Sequence, residues 1–381
     1  MNARLLSLLT ALVLTSLPGC GQEGSADSGA PLGSTSAPVF SYYPMAFARV
    51  DADGGLTEQF NSGAGLVSVA HTRGSGYYQV SFANLATGAN GHVQVTAEGT
   101  GNHRCRSAGW GASGTTQLLN VQCNRPDGAI ADTAFSVVFF RYQQPTTPVS
   151  YAVPAAYLWV TGGSAPWAPS NYNYNPSGAL NSVSRSGPGN YTVTIPNASA
   201  YNASMMVTTY GASGAGAPFC QIGYWGASTH TTVNVLCWNN TGAAADSDFA
   251  LSYSTSGPPL SQQGAHAWFD GTSASPSYSA AFGRISNCSP ASVTGSRGGN
   301  LASLIVQGEL SAFDGGPFPR ASFVNGYGSS PKSCKAESRT VSGGGSSSTS
   351  ITKVRCYDGA GVEVVPVFTF TEVTSDAQGP C

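Results

Sequence analysis

Cysteine is the residue type whose spacing in this chain is regular enough to support a defined chemistry. Cys105 and Cys123, Cys220 and Cys237, and Cys334 and Cys356 hold matching places in three copies of one pattern; Cys288 and Cys381 stand outside it. Nine cysteines less Cys20 leave eight, an even number. Thiols so arranged form disulfides in an oxidising compartment, so one bridge inside each copy and a Cys288–Cys381 clasp are predicted. Each of the first three closes a short loop, for a chain-entropy gain of roughly 3 kcal/mol. Metal ligation is the competing chemistry. It calls for CxxC spacings or recurrent histidines, and the copies have neither, so no metal and no cofactor is expected.

The three copies also serve as an internal control, because residues they share belong to the fold and residues peculiar to one are free to form a site. What recurs is Gly, Tyr, Val, Cys, Trp and a lone acid, whereas none of His71, His92, His103, His230 and His266 recurs. There is no Gly-x-Ser-x-Gly elbow, no HExxH and no P-loop. Ser329-Ser-Pro-Lys332 fits Ser-x-x-Lys, a pattern that a serine-rich chain meets by chance. Carboxylates are sparse and do not pair in matching contexts. A catalytic role is therefore not expected. Gly128 to Asp132 and Gly242 to Asp246 repeat a Gly-x-x-x-Asp spacing, in which the acid accepts backbone N–H bonds at a turn; a calcium site would need further carboxylates. His103-Arg104-Cys105-Arg106 is a small basic knot, read as a solvated strand edge, with capture of an anionic head group or uronic acid as the alternative. The best ligand candidates are Trp167, Tyr172 and Tyr174, set among Pro, Ser and Asn in SAPWAPSNYNYNPSG. Aromatic faces flanked by amides suit sugar rings, although the same rings could cover the end of a module or a junction.

These residues must be carried on strands. Tyr78, Val80 and Phe82 alternate with Gln79 and Ser81, and Leu119, Val121 and Cys123 with Asn120 and Gln122, which puts the cysteine on the buried face. Trp110 and Trp225 each lie five residues past the first cysteine of their copy, where core packing is the plainer reading than a ligand platform. The pattern recurs about every 114 residues, long enough for each copy to bury a core of its own. The modules are 38–142, 149–255 and 265–381, joined by QQPTTP and SGPPLSQQG. The third lacks the tryptophan and has an enlarged loop at Ser342 to Ser350. A terminal repeat commonly departs from its neighbours because one side has no partner to cover. Helical periodicity is absent. The fold expected is all-β, three tandem antiparallel β-sandwich modules with one internal disulfide each; small barrels are the alternative, and an immunoglobulin domain is disfavoured because its disulfide brackets more chain. Charged residues make up 9% and the net charge is −2, which provides no footprint for nucleic acid.

Residues 1–20 form a targeting segment: Arg4, the apolar run Leu5 to Leu14, then Leu17-Pro18-Gly19-Cys20. The tetrapeptide resembles the lipobox of bacterial lipoproteins, with Pro18 departing from the usual small residue; an ordinary secretory signal is the alternative. The resemblance implies that Cys20 is acylated and, since Gly21 and not Asp follows, that the chain anchors in the outer membrane, facing the periplasm or the cell exterior. Residues 21–37 are small and polar and read as a flexible tether. Gly189, Tyr191, Val193, Cys220, Trp225, Val235, Cys237, Gly242 and Asp246 carry a pattern similar to secreted β-repeat modules of soil bacteria, a resemblance that implies no particular activity. The function expected is a non-catalytic envelope lipoprotein displaying stapled β-modules for adhesion or glycan binding. Its partners would be a membrane, through the lipid, and a polysaccharide or envelope protein. A scaffold role and, less so, an extracellular hydrolase are the alternatives.

Overall fold

The alternating segments form strands in a computed structural model, which describes residues 44–87, 90–142, 155–198, 203–211, 217–254, 264–270, 277–279, 292–308, 320–342 and 348–374. Cys20, Cys288, Cys381, the segment 1–37 and the linker QQPTTP lie outside the described residues. The first module contains β1 (Met45–Val50), β2 (Leu56–Asn61), β3 (Val67–His71), β4 (Tyr77–Phe82), β5 (His92–Ala97), β6 (Arg104–Ser113), β7 (Thr116–Asn124) and β8 (Phe135–Phe140). They make two antiparallel sheets, ordered β2-β1-β8-β5 and β3-β4-β7-β6. The second module repeats this plan with β9 (Ala155–Val160), β10 (Asn173–Tyr174), β11 (Ser182–Gly187), β12 (Asn190–Pro196), β13 (Ser204–Thr209), β14 (Phe219–Ala227), β15 (His230–Trp238) and β16 (Phe249–Ser254). So does the third, with β17 (Gly264–Asp270), β18 (Ser277–Ser279), β19 (Ser292–Gly298), β20 (Leu301–Gly308), β21 (Arg320–Gly326), β22 (Ser333–Ser342), β23 (Ser348–Tyr357), β24 (Glu363–Val364), which pairs β23, and β25 (Val367–Thr374). The architecture is all-β and no sheet closes into a barrel among the described residues. The only helical turn there is Ser170–Tyr172.

Each sandwich has its own core between its two sheets. Tyr78, Val80, Phe82, Leu119, Val121 and Cys123 are fully buried in the first, on the face their alternation selects. Tyr191, Val193, Val233 and Val235 do the same in the second, and Leu304, Val306 and Val354 in the third. Burying a side chain of this size contributes about 1.5–3 kcal/mol. Cys105 bonds to Cys123, Cys220 to Cys237 and Cys334 to Cys356, each pair directly opposed across its hairpin.

A fourth cluster belongs to no single module. It joins Phe47, Val138 and Phe140 of the first to Tyr157 and Met206 of the second and Ala321 and Phe323 of the third. Of the strands that supply it, β8 and β13 are buried on both faces, as are their neighbours β5 and β16. That is why β8 reads FSVVFF, apolar on both faces but for Ser136, where a half-exposed strand would alternate. Residues 38–381 accordingly form one compact unit.

The modules close into a ring. At its centre lie the edge strands β5, β13 and β21, and one polar side chain from each clamps the backbone of the next. The Val95 N–H donates to Thr208 Oγ1 at 2.9 Å, and that hydroxyl lies 3.1 Å from the Val95 carbonyl oxygen. Val207 N–H donates to Asn325 Oδ1 at 3.2 Å, while Asn325 Nδ2 donates to Val207 O at 2.7 Å. Val324 N–H donates to Thr96 Oγ1 at 3.3 Å, and the hydroxyl lies 2.9 Å from Val324 O. Second grips first, third grips second, first grips third. The same cycle repeats one turn later, where Gly211 N–H donates to Ser107 O, Gly328 N–H to Ile222 O and Gly99 N–H to Ala336 O. These glycines have φ of 114°, 111° and 85°, a region side chains resist, so the chain can turn there onto its neighbour. The acceptors sit at a β-bulge present in all three modules, between Ser107 and Gly109, Ile222 and Tyr224, and Ala336 and Ser338. A bulge bends a strand and disturbs its ladder, which here puts a carbonyl within reach of the adjoining module. Head-to-tail contacts of this kind form a ring when the rotation closes.

Ring closure corrects the expectation that the third module diverges for want of a partner. At two seams the packing is aromatic: Trp110 and Trp159 stand edge-on to Tyr210 at 5.4 and 5.1 Å, and Trp225 and Trp268 to Tyr327 at 5.3 and 5.4 Å. The strand registers place Arg339, Arg49 and Glu98 at the corresponding positions of the third seam. There Arg49 pairs with Glu98 at 2.6 Å and Glu58 at 2.8 Å, and Arg339 pairs with Glu58. The missing tryptophan is thus an arginine serving an ionic seam. Its burial pushes the guanidinium down to about 10.

Candidate functional site

The loop that carries Trp167, Tyr172 and Tyr174 leaves β9 and crosses toward the first module. Trp167 N–H donates to Thr161 O at 3.2 Å and Thr161 N–H to Trp167 O at 2.9 Å. Pro166 and Pro169 flank it with fixed φ. The indole itself is 62% exposed. Tyr172, by contrast, stands edge-on to Trp110 at 5.6 Å and Trp159 at 5.5 Å, and so extends the aromatic seam between first and second modules. Tyr174 stacks on Tyr142 at 5.3 Å and Tyr157 at 5.5 Å, beside the shared cluster. The trio is therefore divided: two rings are packed at the junction and one faces solvent. The neighbouring amides are committed as well. Asn181 Nδ2 donates to Asn173 Oδ1 and to the carbonyls of Tyr157 and Tyr174, and Asn175 Nδ2 donates to Asn181 Oδ1 and Pro196 O. They stiffen the loop.

The repeated aspartates fasten hairpins. Asp132 accepts from Gly74 N–H at 2.5 Å and Gly76 N–H at 2.8 Å, in the turn between β3 and β4. Burial pushes its carboxyl up, but these two N–H groups and nearby His71 bring it below the usual range. Asp246 is lowered chiefly by Arg185, which donates from Nε at 2.9 Å and Nη2 at 2.8 Å; Gly189 N–H and the Tyr191 hydroxyl add to it. Among the described residues no group of three His, Cys, Asp or Glu is placed to hold a metal ion. In the Ser329-Ser-Pro-Lys332 run, Lys332 Nζ donates to Ser330 Oγ at 2.6 Å. His92 is fully buried between Phe140 and Tyr157, with its pKa pushed down to about 3 by desolvation.

A feature that the sequence did not single out lies on the ring axis. Residues of all three modules line a cavity of about 50 Å3, walled by the clamping side chains Thr96, Thr208 and Asn325 and by Arg104, Lys332 and Ser333. Its polar lining is cationic and neutral. Only the basic knot at Arg104 gave a hint of it, and that segment is no solvated edge, since Arg104 and Arg106 are both buried. No protein-family model, no curated protein and no solved structure matches this chain.

Proposed function

We propose that this protein is a non-catalytic, lipid-anchored component of a bacterial envelope, which presents a rigid ring of β-sandwiches for adhesion through glycan contact at Trp167. The observation that carries the reading is the Trp167 indole, exposed on a loop that is fixed by backbone pairing, prolines and an amide network. A preorganised aromatic face of this kind can stack on the C–H face of a sugar with little ordering cost. Three disulfides place the chain in an oxidising compartment. No helix of the described residues is long and apolar enough to cross a membrane; acylation at Cys20 would supply the attachment. The test is a glycan array and a cell-wall polysaccharide pull-down with residues 21–381. Trp167→Ala should abolish binding and leave the melting temperature unchanged; binding that survives the substitution removes the glycan reading. Mass spectrometry of the membrane fraction tests the acyl group on Cys20.

One observation favours a scaffold role as the second reading. Leu66 and Leu180, equivalent by strand register, are exposed at 85% and 62%. A repeated exposed leucine suits self-association, and Leu66→Ser with Leu180→Ser would then lower the oligomer mass in sedimentation.

A further inference from the structure

The ring axis carries positive charge without a matching acid. Arg104, only 6% exposed, donates from Nη2 to the carbonyls of Asp358 and Gly359 in the third module, at 2.8 and 3.1 Å. Its guanidinium carbon lies 4.0 Å from the centre of the Phe219 ring in the second. The remaining donors, Nε and Nη1, lie on different sides of the guanidinium and have no acceptor. Close by, Lys335 is 1% exposed and reaches only the carbonyls of Glu98 and Thr100, at 3.5 and 3.3 Å. Arg106 reaches Gln122 Oε1, and Lys332 reaches Ser330 Oγ. Among the described residues no carboxylate stands within ion-pair distance of any of these four cations. Asp358 acts on Arg104, and Glu337 and Glu98 on Lys335, only through space.

Burying a cation is costly unless it is paired and its donors are satisfied. Folded proteins rarely leave such a group uncompensated beside open volume. Here the volume exists, since the axial cavity has Arg104 and Lys332 in its wall, and its remaining polar lining includes the hydroxyl of Ser333. At about 50 Å3 it suits a group of four or five heavy atoms and not a sugar ring. A guanidinium and an ammonium in one wall, with no carboxylate in that lining, match a small oxyanion in charge. The geometry points to the axial cavity as a binding site for one small oxyanion, phosphate or sulfate or the carboxylate of an acidic sugar, held by Arg104 and Lys332 and shared by all three modules. An anion there would act as a fourth fastening at the point where the modules meet. This site is independent of Trp167 and of the adhesion reading.

The direct test is thermal unfolding and titration calorimetry of residues 21–381 with inorganic phosphate, sodium chloride being adjusted to hold ionic strength constant. Wild type should be stabilised by phosphate and bind it at one site per chain. Arg104→Gln should weaken binding by about tenfold or more, the size of one lost charge-assisted hydrogen bond. Lys332→Gln, at a half-buried position outside the clamp, should weaken phosphate binding in the same direction and covers the case in which Arg104→Gln does not fold. Arg73→Gln, whose side chain is 87% exposed, should leave the response intact. Sulfate and glucuronate arms assign the source: a response confined to phosphate and sulfate indicates a free tetrahedral anion, and a response to glucuronate an acidic saccharide. No stabilisation of wild type by any of the three, or an equal response in wild type and Lys332→Gln, overturns the assignment.

Discussion

Acid should open the ring at His92, and the size of the effect follows from how that ring is held. Gln94 Nε2 lies 2.7 Å from His92 Nε2 and also donates to Met206 O and Ala250 O in the second module, at 3.3 and 3.1 Å. The imidazole therefore accepts at Nε2, and its stack on Tyr157 spans the same seam. A proton on Nε2 would confront the Gln94 amide N–H and charge a fully desolvated site. The folded pKa is accordingly about 3 against 6.5 for the unfolded chain. Below 6.5 the unfolded state takes up a proton that the folded state refuses, so stability is complete above that value and falls as pH drops toward 3. At about 1.36 kcal/mol per unit, the loss is about 3 kcal/mol at pH 4.5 and about 5 kcal/mol near pH 3. Urea unfolding followed by tryptophan fluorescence reads this directly, because Trp110 and Trp159 line the same seam. His92→Phe should be flatter than wild type by about 3 kcal/mol between pH 7 and 4.5. An identical slope in the two proteins refutes the reasoning.

Further outcomes concern the fastenings of the ring. Lys335 is pushed down to about 8 by burial, against 10.5 in the unfolded chain; the unfolded state then holds the extra proton between those values. Stability should therefore rise from pH 8 toward 10.5, by up to about 3 kcal/mol, and Lys335→Met should abolish the rise in chemical denaturation. Glu98→Gln leaves Arg49 with Glu58 as its ion-pair partner and removes a charge-assisted bond at the ionic seam, which should cost about 1.5–3 kcal/mol in the same assay. Thr208→Val removes an acceptor and a donor from the central clamp and should cost about 1–3 kcal/mol, with Thr208→Ser largely restoring it. Tyr172→Ala should lower the melting temperature without changing any glycan binding, because Tyr172 packs between Trp110 and Trp159.

The sandwiches were legible because local rules specify them. Alternation in YYQVSF and LLNVQC chose the buried face, and the matched cysteines gave the three hairpin bridges. The ring was not legible, because it rests on residues that each copy uses differently. Thr96, Thr208 and Asn325 do one job with two chemistries, and Glu98, Tyr210 and Tyr327 occupy one seam position as an acid and two aromatics. A search for recurrent residue types passes over both sets. Two features of the sequence fit it in retrospect: the run Phe135 to Phe140, apolar on both faces but for Ser136, and the recurrence of Gly99, Gly211 and Gly328 at strand ends. The aromatic loop was ambiguous for a different reason. Trp167, Tyr172 and Tyr174 lie close in sequence, yet backbone direction alone decides which ring meets solvent and which meets Trp110.

Whether first and third modules truly meet is best settled by small-angle X-ray scattering from residues 38–381. A closed ring of this length should give a radius of gyration of about 20 Å, the value for a single compact body. Three sandwiches strung end to end would exceed about 30 Å, and a value in that range would contradict the closed ring.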